Sequence, residues 1–476
     1  MTKRKKVFVG MSGGVDSSVT AFLLKKKYDV VGVFMNCWSS PSTRIHADFN
    51  ADKRGNFSDE CEAERDAEDA RRVAGKLGVP FYVWDFEKEY KKKVVDYMVE
   101  GYRRGLTPNP DVMCNREIKF GLFLEKAFSM GADYVATGHY VRLVSSTNSE
   151  SNTNKRIKNK FVNSKNIRYS LMTAKDSNKD QSYFLWTLTQ KQLKHCLFPI
   201  GDYQKSDVRK IAKKAGLPTA EKKDSQGICF IGKVTLADFL KDYIPSKKGE
   251  VLNIAGEVIG KHSGAQFYTI GQRHIGMANR RPTQTERGLT RKTNFKPLYV
   301  AEKDIRSNTL VVAEGGDNPV LFKKEVALTD MNFINPETHS LISARGGQAR
   351  LPADSASVAT SAKETAIGEG GNGGMKVFAR VRYRQPLFKA KLIFADQKQA
   401  GVKKSLRKSA HAPLDAKLSN GVNPRESALL VFEQKQKFVA AGQSAVLYIN
   451  ENPSSPSARS GRNSGELRML GGGIIA

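Results

Sequence analysis

Short apolar runs alternate with amphipathic segments along the first 140 residues of the chain. The apolar runs at residues 6–10 and 29–35 have the length of β-strands, and residues 17–27 between them carry apolar side chains at helical spacing. The alternation continues with predicted helices at 59–77, 87–102 and 115–129 and predicted strands at 81–85 and 134–137. This order predicts βαβ units and a parallel sheet, with ligands bound at the carboxyl ends of its strands.

A second pattern begins near residue 249, where short β-rich segments are separated by glycine, asparagine and proline. The predicted strands lie at 256–260, 267–270, 298–301, 309–312, 377–383, 390–394, 428–433 and 445–449. Short strands at regular spacing indicate a small β domain, and a barrel is the arrangement we expect.

Three polar stretches interrupt these patterns. Residues 145–170 are rich in serine and asparagine, residues 339–374 are rich in glycine, and residues 397–423 carry several lysines. We expect flexible surface loops there and a loose tail at 451–476. The stretches at 145–170 and 397–423 are basic, and two interpretations of them stay open: contact with RNA, or a solvated surface loop.

The charge of the chain adds a candidate partner. Lysine and arginine number 78 against 48 acidic residues, which gives a formal net charge of +30. Such an excess favours nucleic acid, unless the composition is merely lysine-rich. No run of about 18 apolar residues predicts a membrane span, and no secretory signal precedes the first strand. The 5 cysteines form no C-x-x-C pair, so we expect a cytoplasmic protein without a zinc site.

A glycine-rich turn joins the first predicted strand to the first predicted helix. Its sequence, G-M-S-G-G-V-D-S-S at residues 10–18, presents backbone N–H groups beside a helix start, which suits a phosphate group. The turn lacks the lysine of a Walker A loop and the G-x-G-x-x-G spacing of dinucleotide-binding folds. It resembles the pyrophosphatase loop (PP-loop) of enzymes that split ATP into AMP and pyrophosphate. Asp16 is then expected near the phosphates, through Mg²⁺.

Two cysteines have unusual sequence contexts. Cys114 follows T-P-N-P-D-V-M at the predicted start of the 115–129 helix, where the helix dipole favours a thiolate, and Asp111 is a candidate proton donor or acceptor. Cys229 lies in D-S-Q-G-I-C-F-I-G and, taken alone, reads equally well as part of a core strand. Together with an ATP-splitting loop, the two thiols suggest sulfur transfer through a persulfide that ends as a disulfide. Cys37, Cys61 and Cys196 are interpreted as incidental.

The order of the motifs resembles a known family, the tRNA-uridine 2-sulfurtransferases (tRNA-specific 2-thiouridylases, MnmA type). The shared strings are G-M-S-G-G-V-D-S-S, F-M-x-x-W, T-P-N-P-D-V-x-C-N, A-T-G-H-Y, K-D-Q-S-Y-F-L, F-P-I-G, D-S-Q-G-I-C-F-I-G, H-S-G-A-Q-F-Y-T-I-G-Q-R and A-R-V-R-Y-R-Q. The resemblance implies an α/β PP-loop catalytic domain at 1–240, a central domain at 241–296 and a β-barrel tRNA-binding domain at 297–450. One departure is A-G-Q at 441–443, where the family usually has P-G-Q.

The resemblance also implies roles for individual residues. The ATP-binding positions are Gly10, Met11, Ser12, Gly13, Gly14, Val15, Asp16, Ser17, Met35 and Gly138. Asn109, Pro110 and Asp111 meet the target uridine, Cys114 is the nucleophile, and Cys229 carries the persulfide. The tRNA-contacting positions are His139, Lys179, Asp180, Gln181, Arg382, Tyr383 and Gln443.

The implied reaction is ATP-dependent 2-thiolation of the wobble uridine of tRNA through an adenylated uridine, with a cysteine desulfurase or sulfur-relay protein as the sulfur donor. Sulfur reaches C2 either by direct attack of the persulfide or as hydrosulfide released when Cys114 attacks it. A tRNA accounts for the basic charge because lysine and arginine contact phosphates. Two alternatives stay open, another PP-loop enzyme such as an amidating ligase and a non-catalytic RNA-binding protein.

Overall fold

The computed structural model describes residues 4–38, 62–147, 167–224, 235–273, 275, 296–338, 374–394, 427–450 and 467–476. Its α-helices there are Val15–Lys25, Glu62–Leu77, Glu87–Tyr90, Asp96–Arg103, Pro110–Cys114, Phe123–Ser129, Gln190–Leu193, Lys205–Lys214 and Leu236–Lys241. The π-helical segments Lys91–Val95 and Asn115–Leu122 connect neighbouring helices. Residues 339–373 of the loop predicted at 339–374, and the whole loop predicted at 397–423, lie outside the described residues.

The amino-terminal domain contains the expected parallel sheet. Its strands are β1 (Lys6–Gly10), β2 (Asp29–Asn36), β3 (Phe81–Asp85), β4 (Tyr134–Ala136) and β7 (Cys196–Leu197), in the order β3-β2-β1-β4-β7. Every neighbouring pair is parallel, which confirms the predicted βαβ arrangement. The central strand β1 is almost fully buried because helices cover both faces of the sheet.

A four-stranded sheet forms the central domain. Its strands are β8 (Gly249–Leu252), β9 (Val258–His262), β10 (Leu298–Asp304) and β11 (Thr309–Glu314), in the order β10-β11-β8-β9. Because β11 pairs with both β8 and β10, the sheet of the central domain extends beyond the boundary expected at residue 296. The strand predicted at 267–270 was wrong, since Ala265–Phe267 forms a 3-10 turn instead.

The carboxyl-terminal domain is a closed barrel of six antiparallel strands. They are β12 (Phe322–Phe333), β13 (Met375–Arg380), β14 (Phe388–Phe394), β15 (Ala428–Lys437), β16 (Ser444–Asn450) and β17 (Leu467–Ile475). Strand β17 pairs with both β16 and β12 and thereby closes the barrel. The loose tail expected at 451–476 was therefore wrong for residues 467–475, which are largely buried among the barrel strands.

A hairpin of the catalytic domain continues the barrel sheet. It consists of β5 (Arg142–Thr147) and β6 (Ile167–Met172), and Met172 pairs with Arg468 of β17. The flexible loop expected over 145–170 is thus ordered at both ends, and residues 148–166 lie outside the described part. Because β6 pairs with β17, the hairpin and the barrel strands form one continuous sheet that the two domains share.

A buried ion pair also joins the catalytic domain to the barrel. The carboxylate of Asp180, which is 4% exposed, bonds to the guanidinium of Arg380 in β13. It also accepts a hydrogen bond of 2.9 Å from Ser182, whose hydroxyl lies 2.9 Å from the Tyr448 hydroxyl of β16. The side chain of Asp180, expected to contact tRNA, is instead enclosed within the domain interface.

We expect Asp180→Ala to destabilise the protein strongly. The substitution leaves the buried Arg380 charge without its counterion, which typically costs about 3–5 kcal/mol. A large fall in the denaturant midpoint measures this effect. Asp96→Ala is the matched control because Asp96 is half exposed and pairs with exposed Lys91 at the surface. Equal midpoints for the two variants would contradict the structural role of the buried pair.

Candidate nucleotide and thiol sites

The glycine-rich turn has the geometry of an anion-binding site. It leaves β1 at Gly10 and enters the 11-residue helix Val15–Lys25, whose first position is capped by Gly14 without a side-chain hydrogen bond. Gly13 has a φ of +70°, and a Cβ there would lie 2.2 Å from the carbonyl oxygen of Asp66. Glycine is therefore required at Gly13, and the backbone N–H groups at the helix start are available to a phosphate.

Side chains around the turn divide into core and surface groups. Met11 and Val15 are buried in the core, so only their backbone atoms can face a nucleotide. Ser12 is exposed, and its N–H donates to the Ser17 hydroxyl at 3.2 Å. Gly138 packs on the first turn of the helix, since a Cβ there would lie 2.8 Å from the Ser17 nitrogen.

Met35 closes the other side of the turn. A Cβ added to Gly10 would lie 3.0 Å from the Met35 methyl carbon. The structure thus brings Met35 and Gly138 together with the glycine-rich turn, where the sequence placed the ATP site.

The Asp16 carboxylate is held by two donors that the sequence did not single out. The Tyr140 hydroxyl donates to Asp16 Oδ1 at 2.8 Å, and Lys205 Nζ lies 2.8 Å from each Asp16 oxygen. Burial, with the adjacent Asp16 charge, raises the pKa of Tyr140, so its hydroxyl remains a donor. Lys205 begins the Lys205–Lys214 helix and is only 12% exposed.

Lys205 connects this turn to a second carboxylate. Its Nζ lies 2.9 Å from Asp224 Oδ1, and Asp224 also pairs with Lys179 and Arg209 at 2.7 Å each. Burial raises the pKa of the Asp224 carboxyl, but hydrogen bonds from Lys179 and Lys205 outweigh it and bring the pKa to about 2. Asp224 directly precedes residues 225–234, which contain Cys229 and lie outside the described residues. Lys179, expected at the tRNA surface, takes part in this network.

The helix that carries Cys114 begins earlier than the sequence indicated. It starts at Pro110, and the Asn109 side chain caps it by accepting from the N–H groups of Asp111 and Val112 at 3.1 and 3.3 Å. Cys114 is the last residue of this segment, and the chain continues into the π-helix at Asn115. The dipole argument for Cys114 is therefore weaker, because that effect falls off within the first turn.

Cys114 is 6% exposed and lies in the apolar core of the domain, and two polar residues near it in the sequence, Thr107 and Asn115, are also buried. Asn115 Nδ2 donates to the Phe184 carbonyl at 3.2 Å, whereas Asn115 Oδ1 and the Thr107 hydroxyl are buried without a hydrogen-bond partner within the described residues. Phe184 in turn packs on Tyr383 of the barrel with ring centroids 4.4 Å apart. Unsatisfied buried polar atoms before and after Cys114 in the sequence are a feature of segments that receive a polar substrate.

His139 and Gln181, which the resemblance predicts to contact tRNA, have their side chains in internal contacts of the catalytic domain. His139 is buried, and its Nδ1 lies 2.8 Å from the Thr137 hydroxyl while its ring lies 6.0 Å from that of Phe120. Burial, aided by nearby Lys119, lowers the pKa of His139 well below its ordinary value, so the ring is neutral. Gln181 accepts from the Tyr140 N–H at 2.9 Å. His139 therefore packs against the π-helix that follows Cys114, and Gln181 bonds to the residue whose hydroxyl holds Asp16.

The barrel residues singled out by the sequence reach the same region. Arg382 donates to the Ile270 carbonyl of the central domain at 2.6 Å, and Gln443 Nε2 donates to the Thr107 carbonyl at 2.6 Å. With Tyr383 they form contacts between domains, and these contacts place the barrel beside the catalytic helix.

Sequence reasoning missed Tyr140, Lys205 and Asp224. Tyr140 ends A-T-G-H-Y and Asp224 opens D-S-Q-G-I-C-F-I-G, so both lay within motifs already noted. Lys205 has no local signal, because its role depends on the packing of its helix on the first helix. Cys196 is buried, and its thiol donates to the Gln192 carbonyl at 3.1 Å, in keeping with an incidental role.

The described residues include no group of three or more histidine, cysteine or acidic side chains able to hold a metal ion. Asp16 is the carboxylate that the glycine-rich turn offers, and it is already paired with Lys205. Since Mg²⁺ in nucleotide sites is usually held by one or two carboxylates and by phosphate oxygens, this donor set fits an ion that arrives with a nucleotide. No helix in the described ranges is both long and apolar enough to cross a membrane.

Comparison with known proteins agrees with this geometry. The profile described as "tRNA methyl transferase HUP domain" matches residues 5–233, and that described as "tRNA methyl transferase PRC-barrel domain" matches residues 237–314. The tRNA-specific 2-thiouridylase MnmA 1 of Geobacillus kaustophilus is 44% identical over 70% of this chain and 78% of its own length. The corresponding protein of Christiangramia forsetii is 38% identical over 84% of this chain and 94% of its own length.

Proposed function

The chain belongs to the tRNA-specific 2-thiouridylase (MnmA) family, and from this premise we propose that it catalyses ATP-dependent 2-thiolation of the wobble uridine of tRNA. The observation that carries the proposal is the pairing of two sites in one domain. One is a helix N-terminus with uncapped N–H groups beside Asp16, and the other is a buried thiol at Cys114. An amidating ligase uses the first site and has no use for the second.

In the first step, the 2-carbonyl oxygen of the uridine attacks the α-phosphate of ATP and pyrophosphate leaves. The N–H groups at Gly14 and beyond accommodate the departing phosphates, and Lys205 stabilises their charge at the Asp16 side of the turn. Asp16 is the residue that would hold Mg²⁺, and the bound ion would supply charge that neutralises the phosphates. Asn109, Pro110 and Asp111 border the uridine, and Asp111 serves as the proton donor or acceptor.

In the second step, sulfur replaces the activated oxygen and AMP leaves. The terminal sulfur of a Cys229 persulfide either attacks C2 directly or is released as hydrosulfide by Cys114 and then attacks. On either route the sulfur atom gains two electrons, and the two thiols lose them as they form a Cys114–Cys229 disulfide. An external thiol reductant reopens that disulfide. The persulfide comes from a cysteine desulfurase or a sulfur-relay protein.

The basic charge supports tRNA as the substrate. A net charge of +30 gives many potential contacts with phosphates, which carry the salt-dependent part of RNA affinity. A wobble base must leave the anticodon stack to reach a buried thiol, as single-stranded RNA sites commonly require. The location that fits tRNA and reduced thiols is the cytoplasm.

The test is reconstitution with purified full-length protein, unmodified tRNA, ATP, cysteine and a cysteine desulfurase. We expect 2-thiouridine in the digested tRNA by mass spectrometry, with AMP and pyrophosphate formed in equal amounts. Omission of ATP or the desulfurase should remove the product. Release of AMP without 2-thiouridine would favour another PP-loop enzyme, and tRNA binding without ATP turnover would favour a non-catalytic RNA-binding protein.

A further inference from the structure

Thr107 is held on both sides of its backbone by a turn of the barrel. Its N–H donates to the Ala441 carbonyl at 2.8 Å, and its carbonyl accepts from Gln443 Nε2 at 2.6 Å. Thr107 lies two residues before Asn109, the cap of the Cys114 helix. A barrel element therefore contacts the catalytic segment directly at its entry into that helix.

The turn has little freedom to move. Gly442 has a φ of +87°, and a Cβ there would lie 2.8 Å from the Thr107 nitrogen and 2.9 Å from Leu106 Cβ. Its N–H donates to the Ile475 carbonyl at 2.8 Å, and the Ile475 N–H donates to the Gln443 carbonyl at 2.8 Å. The turn is thus hydrogen-bonded to β17 on one side and in close contact with Leu106 and Thr107 on the other.

The central domain holds the residues just before Thr107. Arg103 donates to the Tyr243 carbonyl at 2.8 Å. Gly105 has a φ of +76°, and a Cβ there would lie 2.4 Å from a side-chain carbon of Ile305 in the turn after β10. Residues 103–107 are consequently the place where all three domains meet.

We propose that the 441–443 turn is a positioning element for the catalytic helix. The turn fixes the backbone of Thr107. The next residue, Pro108, packs on Gly101 of the preceding helix, and Asn109 then caps the helix that carries Cys114. Displacing the turn therefore shifts the cap and loosens the thiol's surroundings without touching the nucleotide turn. The catalytic part of this inference rests on the proposed function, but the positional part does not.

The test compares Gly442→Ala with Gly131→Ala in the full-length protein. Gly131 has a φ of +81° but nothing within 4 Å of an added Cβ, so it carries the same backbone strain without the clash. The readout is alkylation of Cys114 by iodoacetamide, followed by peptide mass spectrometry. We expect the rate at Cys114 to rise at least fivefold in Gly442→Ala and to remain at the parent value in Gly131→Ala.

Cys196 supplies an internal control within the same molecule. It is 1% exposed in the catalytic domain, so its alkylation rises only if the domain opens as a whole. A parallel rise at both cysteines, or no rise at either, would overturn the proposal. If Gly442→Ala fails to fold, Gln443→Ala removes one of the two hydrogen bonds and should raise Cys114 alkylation two- to threefold.

Activity then separates this inference from the proposed function. We expect 2-thiouridine formation to fall at least tenfold in Gly442→Ala, with ATP affinity unchanged. A rise in Cys114 alkylation in a protein that never forms 2-thiouridine would leave the positioning role intact and reject the proposed function. If Gly442→Ala formed 2-thiouridine at the parent rate and Cys114 alkylation did not change, the positioning role would be rejected and the proposed function would stand.

Discussion

Replacement of Cys114 by serine should abolish 2-thiouridine formation while leaving the earlier steps in place. The hydroxyl cannot attack a persulfide sulfur, so we expect the rate to fall by roughly 10³-fold or more, as when a covalent nucleophile is removed. The Cys114→Ser protein should still accumulate a persulfide on Cys229 and release pyrophosphate once. The Cys229→Ser protein should release pyrophosphate but hold no transferable sulfur. Intact-protein mass and nucleoside analysis together measure these outcomes.

Cys196→Ser is the matched control for this experiment. Cys196 is buried like Cys114, but it lies in β7 and its thiol donates to the nearby Gln192 carbonyl, so its replacement should leave the thiolation rate near that of the parent. Thiolation by a double variant that lacks both Cys114 and Cys229 would eliminate the thiol mechanism. Full activity in just one of the single variants would retain sulfur transfer but remove the two-cysteine cycle.

Replacement of Asp16 by alanine should prevent ATP cleavage while tRNA binding persists. The substitution removes the carboxylate that holds Lys205 and Tyr140 beside the phosphate-binding turn. Loss of such a preorganised group typically reduces turnover by about 10²–10³-fold. Pyrophosphate release measures the effect, and a filter-binding assay measures tRNA affinity.

Asp207→Ala provides the comparison for Asp16. Asp207 lies on the Lys205–Lys214 helix but is half-exposed and pairs with exposed Lys210, so pyrophosphate release should stay close to the parent rate. If Asp16→Ala thiolated tRNA as fast as the parent, the glycine-rich turn would not be the nucleotide site. A loss of tRNA affinity equal to the loss of turnover would place Asp16 in the RNA surface instead.

The local sequence was sufficient to predict features that depend on nearest neighbours. The parallel sheet follows from alternating patterns, and the glycine-rich turn follows from its position between a strand and a helix. The start of the Cys114 helix was also readable, because Asn109, Pro110 and Asp111 are a cap, a first-turn proline and a first-turn acid. These three residues indicate a helix start at Pro110, five residues before the start predicted at residue 115.

Features that depend on distant parts of the chain were not readable in this way. The resemblance implies that Asp180 contacts tRNA, and nothing near it in the sequence indicates that its carboxylate pairs with Arg380, 200 residues away. Lys205 meets Asp16 across 189 residues, and nothing in its own neighbourhood marks it. A loose tail was expected at 451–476, yet a Cβ at Gly472 would lie 3.0 Å from the Trp186 ring, so the small size of Gly472 permits close packing there.

The position of β17 imposes an order on biosynthesis. The barrel cannot close until the ribosome has released residues 467–475, because β12 and β16 meet only through that strand. Until then the nascent chain exposes two unpaired strand edges and the apolar side chains of the barrel interior, which is the kind of surface that chaperones bind. The contact of the 441–443 turn with Thr107 forms fully only after closure, since Ile475 anchors that turn. A chain that stops before β17 therefore lacks the strand that anchors this support of the catalytic helix.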